Sequence, residues 1–368
     1  MKILLVQDRL RSGGTERQSV LLANAFAAAG HTVTLLTFRP AGVLRPTLAP
    51  AVRQTILQPL DLGLDWFAPG LLRHSCRFDP DVILCMGRMA NCYAGSLQRR
   101  NPRAAVIGTL RTGKSLPFLF RRSLAAVRHI VANSREARDL LVQRHRLPPA
   151  KISVIYNSLI FPDAGRATPA ARAATRAQHH ATPNTTVLLC VAMLRPEKLQ
   201  RELIEIAAGL PAALDWQLWL AGDGPARAAC EQLTHEKGLT DRVRFLGFVR
   251  DPSALYAGAD IAVHASASES LSNFFIEAQA HGLPCVGYAA QGLGETFLPG
   301  RTGWVIARDD RDAFRQRIVT LAATPKNERA QLAADARDFA RTTFDPARQG
   351  AAYLELFAQL TQRSFTGS

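Results

Sequence analysis

The sequence predicts an α/β protein of two doubly wound halves, each a parallel sheet with helices on both faces, with a cleft at the strand carboxyl ends. Three observations carry that expectation. Short apolar runs alternate with helical stretches along almost the whole chain, the pattern of strands buried on both faces. The alternation stops between Asn157 and Thr186 and then begins again. At 368 residues the chain is also long enough for two ordinary domains with a core each.

In the first half, residues 2–7 read as an apolar strand. A loop over 11–17 runs into a helix at 18–29, which stops at Gly30. Strands follow at 31–38, 82–85, 105–109, 129–132 and 151–156. Pro162, Gly165 and Pro169 precede the Ala/Arg-rich stretch 170–177, and Pro183 follows it, so this segment reads as a linker with a short surface helix. Strands resume at 187–192, 217–221, 243–246, 261–264, 285–288 and 304–306, and 331–360 is helical. The expected domains are 1–163 and 185–342, joined by a linker at 164–184. A C-terminal segment, 343–368, is expected to pack back on the first domain.

Composition narrows the function. No apolar run reaches the ~18 residues that span a bilayer, and Asp8-Arg9 follow the first strand too soon for a signal peptide. The six cysteines form no C-x-x-C pair and read as reduced, mostly buried thiols. The net charge of +15 is lopsided: residues 1–163 carry 23 Lys and Arg against 9 Asp and Glu, and the remainder 22 against 21. An arginine-rich genome would not confine the excess to one half, so the first half is expected to face an anionic partner. No recognisable nucleic-acid-binding motif accompanies the charge, and no nucleic acid is expected.

One stretch concentrates candidate chemistry: Ser268-Glu269-Ser270-Leu271-Ser272-Asn273, continuing to Glu277-Ala278, between a buried strand and a helix. Serines and an asparagine there are candidate N-caps, and a helix start is a seat for phosphate. Lys198, in Arg195-Pro196-Glu197-Lys198, also follows a strand and opens a helix. After the first strand, Gly13 and Gly14 allow close backbone approach, but no G-x-G-x-x-G or closing acidic residue is present, so a nicotinamide site fails. Ser270 has no evident His–Asp partners for hydrolase chemistry. Asp79-Pro80-Asp81 and Asp310-Arg311-Asp312 have D-x-D spacing but read as a turn and a helix start. There is no His/Cys ligand cluster, and no metal is expected. His179-His180 reads as solvated, and His264, on its strand, as satisfied structure rather than a base.

In order, Gly13-Gly14-Thr15-Glu16-Arg17, Pro196-Glu197-Lys198, Gly222-Asp223-Gly224-Pro225, Phe245-Leu246-Gly247-Phe248-Val249 and the Glu269…Glu277 pair of an E-x7-E motif resemble the group 1 retaining glycosyltransferases. The resemblance runs from Lys2 to about Leu360. It implies the GT-B fold, two Rossmann-like domains facing a cleft, with a nucleotide-diphosphate sugar (UDP- or GDP-sugar) as donor substrate and no tightly bound cofactor. It implies that Glu277 accepts from the ribose hydroxyls and Glu269 lies by the donor sugar. Lys198 and the amides of Leu271, Ser272 and Asn273 would hold the diphosphate, and Phe248 and Val249 would line the base pocket. Gly13 and Gly14 would reach the sugar and phosphates. The chain departs from the pattern at Met193, where a second diphosphate-binding cation belongs, and at Leu199, where a glycine does. Either Arg195 or a first-domain arginine substitutes for it, or turnover is slow, or the donor differs. Arg111 stands where many members carry a histidine, and is a candidate for contacting donor or acceptor.

The implied activity is sugar transfer to a glycan or lipid-linked acceptor in bacterial envelope polysaccharide or lipopolysaccharide synthesis. The implied location is cytoplasmic or peripheral on the inner face of the cytoplasmic membrane. Leu116-Pro117-Phe118-Leu119-Phe120-Arg121-Arg122 combines apolar bulk with charge, which suits either shallow insertion into an anionic membrane or an ordinary helix packed on the sheet. A sugar-nucleotide epimerase or phosphorylase on the same fold stays open, as does a basic membrane- or nucleic-acid-binding protein without catalysis.

Overall fold

The computed structural model describes residues 1–11, 13–40, 42–113, 115–159, 161 and 168–362. The chain forms two compact units, Met1–Ser158 together with Asp345–Ser368, and Leu159–Phe344. Ser12, the linker residues Pro162 and Gly165, and the tail beyond Gln362 lie outside the described residues.

The first unit runs β1 (Lys2–Gln7), α1 (Gly14–Ala28), β2 (Thr32–Thr37), β3 (Arg53–Ile56), α2 (Leu71–Phe78), β4 (Val82–Cys85), α3 (Arg88–Arg100), β5 (Ala105–Leu110), α4 (Phe118–Ala126), β6 (His129–Ala132), α5 (Arg135–Gln143) and β7 (Ile152–Val154). All seven strands are parallel, in the order β3-β2-β1-β4-β5-β6-β7. Alternate side chains of β1 feed two cores: Leu4 and Val6 on one face, Ile3 and Leu5 on the other. Two elements of this unit depart from expectation. α1 begins at Gly14 rather than residue 18, because Gly13 serves as its N-cap and Glu16 supplies acid in the first turn. β3 was not expected at all. Its Arg-Gln-Thr-Ile sequence carries no apolar run, and as an edge strand held by β2 alone it needs none.

The second unit runs α6 (Pro169–Gln178), β8 (Thr186–Val191), α7 (Gln200–Ala208), β9 (Trp216–Ala221), α8 (Arg227–Glu236), β10 (Val243–Gly247), α9 (Ser253–Gly258), β11 (Ile261–His264), α10 (Asn273–Ala280), β12 (Cys285–Tyr288), β13 (Gly303–Ile306), α11 (Arg311–Ala322) and α12 (Lys326–Thr343). Its six strands are also parallel, ordered β10-β9-β8-β11-β12-β13.

The expected linker is corrected here. α6 is bolted into the second unit through Arg176, which is buried, donates to the carbonyls of Thr182, Thr185 and Gly258, and ion-pairs with Asp260 at 3.0 Å. Arg172 adds a second pair to Asp260 at 2.5 Å. His179, expected in water, packs its ring edgewise on Trp219 at 4.9 Å. The final helix, α13 (Pro346–Gln362), returns to the first unit, where Tyr353 and Phe357 meet Phe26 at 6.1 and 5.3 Å between ring centroids.

In both sheets the order reverses beside the first strand, between β1 and β4 and between β8 and β11. In open α/β sheets such a reversal is where ligands bind, and in the first unit a pocket lies at that point.

Candidate active site

The reversal in the second sheet brings together the residues singled out in the sequence. The loop after β8 carries Lys198, and the loop after β11 carries Glu269. Two contacts tie the loops: Ala267 N donates to Glu197 O at 3.0 Å, and Ser266 Oγ to the same oxygen at 3.4 Å. Glu269 Oε1 then accepts from Lys198 Nζ at 2.5 Å and from His264 Nε2 at 2.7 Å. Burial pushes this carboxyl up, but the His264 hydrogen bond and the charges of His264 and Lys198 outweigh it and hold it at about 2. An ionised carboxylate only accepts, so Nε2 of His264 carries the proton. Its Nδ1 faces the Cys190 thiol at 3.8 Å, and burial keeps that thiol protonated by pushing it up to about 12.

Glu277 lies further on, within α10, and accepts from the Tyr256 hydroxyl at 2.7 Å. Burial, and then the Glu277 charge, raise the Tyr256 hydroxyl well above its usual value, so it stays a donor. Its ring stacks on His281 at 4.7 Å, and burial lowers His281 to about 4, leaving it neutral. Ser272 caps α10, its Oγ accepting from Phe275 N at 3.4 Å. The N–H groups at the start of α10 have no acceptor within the helix, as at any helix start.

Gly222 and Gly224 take φ of +141° and +152°, and a Cβ on either would collide with the carbonyl of Ala192 or Leu194. This lets the loop after β9 close against the loop that leads to Lys198, sealed by Leu194 N to Asp223 O at 3.0 Å. Phe248 and Val249 follow β10 at the carboxyl edge of the same sheet. Phe248 is exposed, and Val249 is packed partly on the core. Leu199 has φ of +52°, the left-handed conformation that a glycine would take more readily. Met193 is 46% exposed and Arg195 is exposed. A cation that no sequence motif marks also touches this region. Arg308 donates to Ala267 O at 3.1 Å and to Ala289 O at 3.5 Å, at the ends of the β11 and β12 loops.

Gly13, Gly14 and Arg111 belong to the first unit. There a pocket of about 230 Å³ opens at the strand-order reversal, lined among others by Asp8, Thr15, Glu16, Arg88, Asn91 and Arg111. Arg111 donates to Asn157 Oδ1 at 2.5 Å and to the Tyr353 hydroxyl at 2.6 Å, so it is a fixed wall of the pocket rather than a loose surface arginine. Asp8 accepts from the amides of Met89 and Ala90 at 3.0 and 2.7 Å. Burial raises its carboxyl to about 6 against those hydrogen bonds, with Glu16 and Asp65 pushing the same way. Gly87 gives it room, since a Cβ there would crowd the Asp8 carboxylate and the Gln7 amide oxygen.

The structure thus joins Lys198, Glu269 and the start of α10, and keeps Gly13, Gly14 and Arg111 in the other unit. His264, Tyr256, Asp8 and Arg308 were missed as site residues. A strand-end position next to a candidate loop was the only signal for His264 and Asp8; Tyr256 and Arg308 carried none. The D-x-D pairs are structural: Asp310 caps α11 by accepting from Ala313 N at 2.9 Å, and Asp81 accepts from Lys2 N at 2.7 Å. Among the described residues no helix is long and apolar enough to cross a membrane.

Comparison with known proteins finds glycosyltransferases for both units. The family described as Glycosyl transferases group 1 matches residues 185–324, and the one described as Glycosyltransferase Family 4 matches 12–159. The chain is 27% identical over 350 residues to the lipopolysaccharide core biosynthesis glycosyltransferase LpsE of Rhizobium meliloti, covering 95% of this chain and 96% of that one. It is 32% identical over 199 residues to D-inositol 3-phosphate glycosyltransferase of a Mycobacterium species, covering 52% of this chain and 44% of the relative. Among solved structures, HepE of Anabaena in complex with UDP superimposes with a TM-score of 0.82 at 22% identity, over 98% of this chain and 100% of that one.

Proposed function

The chain belongs to the group 1 glycosyltransferases and has the GT-B fold, two Rossmann-like domains, and from that premise we propose that it is a retaining enzyme. It transfers a sugar from a nucleoside-diphosphate sugar to a hydroxyl of a glycan or lipid-linked acceptor, in the synthesis of lipopolysaccharide or a similar envelope polysaccharide. The similarity to LpsE along nearly the whole chain supports that class of product, and the UDP and UDP-glucose complexes of HepE support a UDP-sugar donor. The observation that carries the reading is the Lys198–Glu269–His264 cluster beside the start of α10, at the strand-order reversal of the second sheet.

In this proposal the diphosphate draws the Lys198 ammonium away from Glu269 and takes the amides of Leu271, Ser272 and Asn273. Lys198 and the helix start stabilise the charge that builds on the departing diphosphate. Arg308, or Arg195, adds the cation that Met193 does not. His264 keeps Glu269 ionised and oriented toward the donor sugar, while Glu277, held by Tyr256, accepts from the ribose. The bond from the anomeric carbon to the phosphate oxygen breaks as the acceptor oxygen bonds on the same face. The acceptor proton passes to the departing diphosphate, so configuration is retained. The first unit binds the acceptor through the pocket of Asp8 and Arg111, and the enzyme works at the cytoplasmic side of the membrane.

A thermal-shift screen across nucleotide sugars tests donor binding, since a ligand that binds only the folded chain raises its melting temperature. Glu269→Ala is expected to keep the shift and lose transfer, and full activity in that variant would sink its placement. The anomeric configuration of the product, read by NMR, decides retention. An epimerase would return the sugar still on its nucleotide with a changed configuration, and a phosphorylase would consume orthophosphate and release no nucleotide.

A further inference from the structure

The second unit holds a pocket that the transfer chemistry does not use. It lies at the amino ends of β11 and β12, the sheet edge opposite to Lys198 and Glu269, and has a volume of about 370 Å³. Tyr256, Ile261, Leu283 and Leu321, all buried, give it an apolar floor. Asp260, the carboxylate among its lining residues, is already neutralised by Arg172 and Arg176. Two further cations line it. Arg329 donates to the carbonyls of Ala322 and Thr324 at 2.5 and 2.8 Å, and has no carboxylate partner among the described residues. Arg337, half-buried, makes neither a hydrogen bond nor an ion pair among the described residues. Its guanidinium lies over Gly282, where a Cβ would strike it, and Asp335 on the same helix is taken by Arg301 at 2.7 Å. A half-buried guanidinium without a protein acceptor favours an anion beside it.

The pocket is also wired to the candidate active site. Tyr256 and His281 both line it, with their rings stacked at 4.7 Å. The hydroxyl of the same tyrosine donates to Glu277 at 2.7 Å. Helix α10 starts at the Ser272 cap, beside the Glu269 loop, and ends at His281 in the pocket wall, with Glu277 between them. A body pressed against His281 therefore steadies the ring that holds Glu277, without entering the donor site.

We propose that this pocket is a second ligand site, for a small amphipathic anion, and that its occupancy tightens donor binding through Tyr256. An apolar ring system fills the floor against His281, and the ligand's anionic group pairs with Arg337 and Arg329. A cavity of this size and lining suits such a molecule. The coupling rests on the reading that Glu277 accepts from the donor ribose; the binding of the anion does not.

The test is titration calorimetry of the full chain with 1-naphthyl phosphate, which joins an apolar ring system to one phosphate. Saturable binding is expected, with 1-naphthol and inorganic phosphate each binding about tenfold more weakly or worse. Arg337→Met keeps the apolar stem, removes the charge, and should weaken the probe about tenfold or more. That side chain has no protein partner to lose, so the melting temperature of the variant should stay near that of the parent chain. Lys198→Ala should leave probe affinity unchanged. UDP should bind about fivefold more tightly when the probe is saturating, and the probe should gain the same factor from UDP. Tyr256→Phe keeps the ring and drops the hydroxyl, so it should bind the probe and lose the coupling. Absence of saturable probe binding, unchanged affinity in Arg337→Met, or loss of binding in Lys198→Ala overturns the site. Equal UDP affinity with and without the probe, or coupling that survives in Tyr256→Phe, overturns the link to Glu277. A chain that binds the probe and not UDP would instead refute the donor-site reading and leave this pocket standing.

Discussion

Glu269 is the residue whose ionisation most of the site is arranged around. Its carboxyl, held at about 2 against an ordinary value near 4.3, contributes stability that is present above the ordinary value and lost as pH falls toward 2. His264→Leu removes one of its two donors and should cost about 1–3 kcal/mol, with a shallower acid limb in the pH dependence of melting. His264→Gln keeps a donor and should restore much of both stability and turnover; no difference between the two variants would refute the positioning role. Asp8 has the opposite sign. Raised to about 6, it contributes stability that is fully present below about pH 4 and lost as pH rises through 6. Asp8→Asn should flatten that window in a melting-temperature series, and a slope identical to that of the parent chain would contradict the assignment. Neither His264 nor Asp8 was legible as functional in the sequence. A single histidine on an apolar strand is usually packed structure, and only the fold shows that its partner is a loop carboxylate five residues on.

Elements were legible wherever burial wrote a pattern. The strands flanking both order reversals are apolar on both faces, so the parallel sheets and the loops bearing Lys198 and Glu269 could be placed by pattern alone. Elements held by polar contacts could not. β3 carries no apolar run because it sits at an edge. The Ala/Arg-rich stretch of α6 looks like a solvated linker until Arg172 and Arg176 are seen to converge on Asp260. This has a measurable consequence. Asp260→Ala strands the buried Arg176 guanidinium and also removes the acceptor for Val187 N, so chemical denaturation should show a loss of about 3 kcal/mol or more. A true linker would give a loss near zero. Gly222 and Gly224 show the converse case, where a short glycine motif was legible but its reason was not. The reason is a backbone crossing too close for any Cβ.

For the whole molecule, the charge asymmetry and the two-unit organisation were both visible in the sequence, and α13 explains why the first unit is completed by the end of the chain. The basic surplus of the first unit includes arginines that line pockets, Arg88 and Arg111 in one, and Arg121, Arg122, Arg144 and Arg146 in another between α4 and α5. The near-neutral second unit is where the donor is proposed to bind, with Lys198 carrying most of the local positive charge toward the diphosphate. That claim is tested most directly by titration calorimetry of a UDP-sugar against the parent chain and Lys198→Ala. A charge-assisted contact of ordinary strength predicts that the variant binds about tenfold to a hundredfold more weakly. Equal affinity would contradict the placement of the donor diphosphate at Lys198.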